Sequence, residues 1–293
     1  MQTELARPFH GAKTMWPYVP SPPRWDIVLR RWPARWARQS PPTSRLLKPP
    51  PGPGRWLMYF MFLPHGELST QHRFTLDRLA AENAWLMIVC ACPPGHPLLT
   101  ELQEQCDALC WKALDGYDFS AYALGLTELV RHASGSDVMV LNDSMLGPFT
   151  PLVPFIEQAP WRLTGLTASA LEENHLQSFA FIVRQLDAQF LQAVSPVLST
   201  EWSYDTSDPV ILLQETRLAR VASRHMSVGA YWYTDGSHHL DLCLNCPEQM
   251  LDAGFPLIKR SLLDKFARGF QEPARMRALL LRLGHPAIPN EAI

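Results

Sequence analysis

A doubly wound α/β domain is the architecture this sequence predicts, with a mostly parallel central sheet, a helical C-terminal part and a Pro-rich N-terminal arm. Three observations lead there. Short, unbroken apolar runs, LMYFMFL at 57–63 and WLMIVCACP at 85–93, read as strands buried on both faces. Longer segments with helical spacing of apolar residues separate these runs, and strands alternating with helices favour a parallel sheet. Hydrophobic residues make up 47% of the 293 positions, enough to fill a sizeable core.

The arm covers residues 1–54 and is dense in proline, as in PSPPRW and PPTSRLLKPPPGPGRW. Proline removes a backbone donor and blocks helix interiors, so the arm is expected to pack less regularly than the rest. Within it, WDIVLRRWPARWARQ has the spacing of a short helix, kinked or broken at Pro33. That helix would present Trp25, Trp32 and Trp36 together with Arg30, Arg31, Arg35 and Arg38. Residues 1–55 carry ten Lys/Arg against Glu4 and Asp26, about +8, which leaves 16 Lys/Arg against 26 acids, about −10, for the remainder. An acidic body argues against nucleic acid as a partner. A basic stretch bearing tryptophan over residues 16–48 fits either an anionic membrane surface or an arm docked on its own domain.

No run reaches the roughly 18 apolar residues of a spanning helix. The N-terminus lacks the charged stub and apolar run of a secretory signal. The expectation is a cytoplasmic protein, peripheral at the inner face of the plasma membrane if the arm meets lipid. Its six cysteines are expected to be reduced. Cys243 and Cys246 have zinc-ligand spacing, but the Cys-x-Cys and Cys-x3-Cys pairs do not complete a ribbon, so buried thiols are the expectation.

The main domain is placed at 55–270 and a helical tail at 271–293. Apolar periodicity predicts helices over 70–83, 98–109, 117–133 and 150–158, then 208–224, 257–268 and 273–284. Further strands are expected near Trp111, at DVMVL, RLTGLT and LQSFAFIVR, and as a short piece in YWYTDG. His238 and His239 are adjacent and point apart in an extended chain, so with Asp241 they read as a polar loop.

In an open α/β sheet, ligands bind beyond the carboxyl ends of the strands. Two segments put polar residues there. In the first, Gly116 allows a tight turn before a helix, Asp115 or Asp118 can cap that helix, and its free N–H groups can take a phosphate. The second is Asn142-Asp143-Ser144, directly after a buried strand, where a carboxylate is costly unless something binds it. A divalent cation (Mg or Mn) holding a diphosphate, a ribose hydroxyl, and nearby N–H groups are all candidates for Asp143.

Four blocks taken in order, GYDFSAYALGL, LNDSMLGPF, ENHLQSFAF and GFPLIKRSLL, resemble the successive signatures of the rhamnan synthesis protein F family over about residues 55–268. That resemblance implies a Rossmann-like domain of the glycosyltransferase A type. It also implies transfer of a sugar, with rhamnose as one candidate, from a nucleotide-diphosphate donor to a glycan or lipid-linked glycan acceptor of a bacterial surface polysaccharide or lipopolysaccharide. It places the nucleotide-sugar site at Lys112, Gly116, Tyr117, Asp118, Asn142, Asp143, Ser144, Gln177, Ser178, Lys259 and Arg260, with Asp143 as the metal candidate. Inverting transfer needs a general base. Glu215, His175 and Glu173 are the candidates in that order, and an exposed helix charge is the competing reading of Glu215. The chain departs from the family at Lys112 and Leu114, where an Arg and an Asn are usual, and at RLTGLT, which lacks an acid and a Trp. It also has Asn-Asp-Ser where the A-type fold has two carboxylates. These departures keep a second function class open, a non-catalytic glycan-binding or assembly protein on a transferase-like fold.

Overall fold

The computed structural model describes residues 12–237, 241–263 and 273–286. The first strands are β1 (Lys13–Pro17), β2 (Ser44–Lys48), β3 (Arg55–Phe62), β4 (Trp85–Ala91), β5 (Ala108–Lys112) and β6 (Ser136–Asn142). They are followed by β7 (Met145–Leu146), β8 (Leu163–Ser169), β9 (His175–Leu176), β10 (Ala180–Leu186), β11 (Val228–Thr234) and β12 (Ile258–Lys259). The main sheet runs β1-β11-β8-β10-β6-β3-β4-β5-β2, with β9 paired to β8, while β7 and β12 form a small separate ribbon. Strands β3, β4, β5 and β6 are mutually parallel, and so are β8 and β11. Strand β10 runs against its two neighbours β6 and β8, so the pairs on either side of it point the same way.

The apolar runs explain this sheet. Along β3, Trp56, Met58 and Phe60 join the core on one face, while Leu57, Tyr59 and Met61 join the core on the other. Alternate side chains of a strand point to opposite faces, so a strand covered on both sides must be apolar throughout. Burying each such side chain contributes about 1.5–3 kcal/mol.

The helices are α1 (Trp25–Ala34), α2 (Thr70–Ala80), α3 (Leu98–Gln105), α4 (Asp118–Ala133), α5 (Val153–Gln158) and α6 (Ala188–Val194), then α7 (Ser207–Val210), α8 (Thr216–Ala222), α9 (Leu242–Asn245), α10 (Pro247–Asp252) and α11 (Pro273–Arg282). A π-helical segment, Ile211–Glu215, joins α7 to α8. Helix α4 buries Phe119, Tyr122, Leu126, Leu129 and Ala133 against the face that holds Trp56 and Phe60. Among the described residues, no helix is long and apolar enough to cross a membrane.

Two sequence expectations change. The proline-rich arm supplies both edges of the main sheet: β1 pairs antiparallel with β11, and β2 pairs antiparallel with β5. The prolines are largely confined to the connections, and an edge strand has one side whose donors need no partner strand. Trp16 strengthens the β1 contact by stacking on Tyr233 at 4.0 Å. The predicted helix over 257–268 is instead β12 followed by a 3-10 turn at Arg260–Leu262, and residues 264–268 lie outside the described residues. There, pairing of Ile258 and Lys259 with Leu146 and Met145 overrides the helical spacing of the apolar residues. His238 and His239 also lie outside the described residues. All six cysteines are free and buried.

Candidate functional site

Strand β3 has β4 and β5 on one side and β6 on the other, so the strand order reverses between β3 and β6. At the carboxyl ends of β3, β5 and β6 lies a cavity of about 540 Å³. Phe60 and Phe62 form one wall, residues 114–118 a second, and Asn142, Asp143 and Ser144 a third, with Asp205 at the side. A crevice beyond the strand ends at a reversal of strand order is where open α/β sheets take ligands.

The turn before α4 is built around Gly116, whose φ is +70°. Its N–H donates to Asp205 Oδ1 at 2.7 Å, and the next N–H, of Tyr117, donates to the Tyr204 carbonyl at 3.1 Å. Lys112 lies beneath this turn, fully buried. Its ammonium donates to the carbonyls of Ala113 (3.0 Å), Asp115 (2.8 Å) and Gly116 (3.2 Å). Burial pulls the Lys112 ammonium down to about 8 against the opposing pull of Asp115, Asp118 and Asp205. With its three donors spent on the backbone, Lys112 shapes the loop and points no N–H into the cavity.

Asp118 opens α4 half-buried. One carboxylate oxygen accepts the Phe119 N–H at 2.9 Å, and the other faces Asn142 Nδ2 at 3.2 Å and the Tyr122 hydroxyl at 3.4 Å. Burial, and then the negative charge of Glu215, push the Asp118 carboxyl up to about 7. Asn142 also donates to the Tyr122 hydroxyl at 2.9 Å, and Tyr122 in turn donates to the Ser178 carbonyl at 3.1 Å. The Ser178 N–H donates to Glu215 Oε1 at 2.9 Å. Asp118, Asn142, Tyr122, Ser178 and Glu215, spread over nearly a hundred residues of sequence, therefore form one hydrogen-bonded chain. Glu215 ends the π-helical segment, an irregularity that recurs at functional sites.

Asp143 is more committed than its place after a strand implied. Its Oδ2 accepts the Phe62 N–H at 2.9 Å and lies 3.6 Å from His72 Nε2, while its own N–H donates to the Phe60 carbonyl. Among the described residues, Oδ1 accepts no hydrogen bond. The nearby-N–H reading of this carboxylate thus accounts for one of its two oxygens. Among the described residues, no three His, Cys, Asp or Glu side chains converge on a metal position. The residues around Asp143 therefore do not form a divalent-cation site on their own.

The other expected site residues surround this centre unevenly. The Ser144 N–H donates to Asn142 Oδ1 at 3.1 Å, and the Ser144 carbonyl accepts the Arg260 N–H at 2.8 Å. Gln177 is spent on Thr167 (2.7 Å) and Asp241 (2.8 Å), and Asp241 also binds the Lys259 ammonium at 3.0 Å. His175 holds the Glu173 carbonyl through Nδ1 at 2.7 Å and turns Nε2 toward Glu172 at 4.0 Å. Burial first, and then Glu215, raise the Glu172 carboxyl, against the opposing pull of His175. Glu173 does not line the cavity: its carboxylate is buried between the guanidinium groups of Arg31 and Arg220. Two arginines at a fully buried carboxylate make it an anchor for α1 rather than a base waiting for a proton.

Asp205, Phe62, Tyr122 and His72 were missed from sequence. Tyr122 is hidden by its place in the apolar repeat of α4, and only its hydroxyl carries the polar role. Asp205 sits in the loop WSYDTS, which offers no local signature, and only the fold brings it to Gly116.

No protein-family model matches this sequence, and no curated protein sequence does. Among solved structures the chain is similar to S. aureus TarS, at 12% identity over 79% of this chain and 42% of TarS, with a TM-score of 0.35. The chain thus spans less than half the length of that protein. It is similar to TarS 1-349 in complex with UDP at 12% identity over 78% of this chain and 70% of the other, with a TM-score of 0.37. A cytidylyltransferase from Leptospira borgpetersenii serovar Hardjo-bovis is similar at 10% identity over 83% of this chain and 99% of the other, with a TM-score of 0.36.

Proposed function

We propose that the cavity between β3 and β6 binds a nucleotide-diphosphate sugar and that the protein is a glycosyltransferase. One observation carries this reading: the Gly116–Asp118 turn and the Asn142–Ser144 segment, two separate blocks of the family resemblance, line one cavity at the reversal of strand order. The positive end of the α4 dipole favours a diphosphate at this turn, where the Gly116, Tyr117, Phe119 and Ser120 N–H groups already have partners within the protein. The exposed Tyr117 ring offers a stacking face for the base. An ionised Asp118 would repel a diphosphate, and its carboxyl, pushed up to about 7, is partly neutral near pH 7. The open Oδ1 of Asp143 is a hydrogen-bond acceptor for ribose.

Glu215 is the leading candidate for the base that takes the acceptor proton. It is half-buried beside Asp118 and Glu172, and one of its oxygens is fixed by Ser178. His175 is the second candidate. The sugar, rhamnose among others, and a glycan or lipid-linked glycan acceptor of a bacterial surface polymer follow from the family resemblance. The test is release of nucleoside diphosphate from a panel of nucleotide sugars, with and without Mg²⁺ or Mn²⁺. Release that is abolished in Glu215→Gln supports transfer. Donor binding without release in any combination would instead make the protein a binding module.

A further inference from the structure

Helix α1 is mounted the wrong way round for a core helix. Ile27 and Arg31 are its buried residues. Arg31 enters the protein and donates to the Leu212 carbonyl at 2.8 Å, to Thr216 Oγ1 at 2.9 Å and to the buried Glu173. Trp25, Val28, Leu29 and Trp32 stand at i, i+3, i+4 and i+7 on the opposite side, and Trp36 continues the stripe into the 3-10 turn. These side chains are 77%, 50%, 63%, 69% and 81% exposed. A surface helix ordinarily turns such a stripe inward. Here the Arg31–Glu173 pair holds the apolar stripe outward, because rolling the helix over would strip a buried carboxylate of one of its two arginines.

Contiguous apolar surface of this kind marks an interaction site. Charge identifies the occupant. Arg24, Arg30, Arg35 and Arg38 flank the stripe. Arg24 pairs with the half-buried Asp26 two residues on, and Arg30 with the exposed Asp208. Arg38 stacks on Trp202 at 4.1 Å, and Arg35 makes no ion pair among the described residues. Tryptophans flanked by arginines on a short surface helix fit the headgroup region of an anionic bilayer, where the indole ring is amphipathic and the guanidinium meets lipid phosphate. We propose that α1 is a docking helix that lies in the surface of an anionic membrane. This inference does not depend on what the cavity binds. The helix also rests on the π-helical segment that ends in Glu215, so docking would hold that segment close to the lipid surface.

The test is co-sedimentation of the full chain with vesicles of phosphatidylglycerol and phosphatidylcholine in equal parts, with phosphatidylcholine alone as the control. Trp25→Ser/Trp32→Ser/Trp36→Ser is the variant, chosen because all three rings are exposed and the fold does not need them. Thermal melting checks that it is folded. The expected result is binding to the anionic vesicles, a blue shift of tryptophan emission, and a loss of binding of at least tenfold in the variant. Equal binding by both proteins, or no binding by the parent, overturns the proposal. So does a parent dimer in analytical ultracentrifugation that the variant lacks, if vesicle binding is absent, because the stripe would then be a contact between two copies.

Discussion

Replacing Gly116 by alanine tests whether the turn before α4 is as constrained as its geometry implies. A β-carbon there would sit 2.7 Å from Ser120 Oγ, 3.1 Å from Ser120 Cβ and 3.2 Å from Ser203 Cβ. Two costs follow. The left-handed backbone costs alanine about 1–2 kcal/mol. Moving Ser120 endangers its hydrogen bond to the Tyr117 carbonyl, worth about 1 kcal/mol. Ser203 cannot yield easily, since it is bridged to Gln39 through the backbone. The sum is about 2–3 kcal/mol, to be read from chemical denaturation with an unchanged slope. In a Ser120→Ala background, which already lacks that hydrogen bond and the overlapping oxygen, Gly116→Ala should cost only the backbone part, about 1–2 kcal/mol. Gly116→Ala as stable as the parent, or no cost of Gly116→Ala in the Ser120→Ala background, would refute this reading of the turn.

Three further outcomes are expected. Asp143→Ala should lower stability by about 1–2 kcal/mol by orphaning the Phe62 N–H, whereas Asp143→Asn keeps an acceptor there and should change stability by less than half as much, both read by denaturant melts. Because Asp118 is pushed up to about 7 in the fold from an ordinary 3.8, the unfolded chain ionises first. Its contribution to stability is therefore greatest below about pH 4, falls as pH rises toward 7 and is flat beyond, a slope that should shrink in Asp118→Ala when melts are compared across that window. Arg31→Met leaves Glu173 with Arg220 alone and should cost about 2–4 kcal/mol, with the loss largely relieved when Glu173→Gln is added, as a double-mutant cycle would reveal.

The parts of the fold written in local periodicity were legible. The run at 57–63 and the repeat Phe119, Tyr122, Leu126, Leu129 each match a strand or helix, because burial on two faces or one face imposes a period that no other structure shares. That Gly116, Asp118, Asn142 and Asp143 meet at one crevice was legible, because a glycine turn and a strand-end acid mark where a sheet opens. What the sequence hid depends on partners far along the chain. Lys112 is a phosphate candidate by type, yet three carbonyls of its own turn take its protons. Glu173 is a base candidate by position, yet it meets Arg31 and Arg220 from distant elements. The proline-rich arm became two edge strands because β5 and β11 offered unpaired edges, which no local pattern records.

A nucleotide sugar is the proposed ligand of the cavity between β3 and β6. Calorimetric titration with nucleoside diphosphates and their sugars tests it most directly, using the parent chain and Asp143→Asn, which retains the contact to Phe62. Binding of at least one such ligand by the parent, weakened tenfold or more in the folded Asp143→Asn variant, is the predicted result. No binding by the parent, or equal binding by the two proteins, would contradict it.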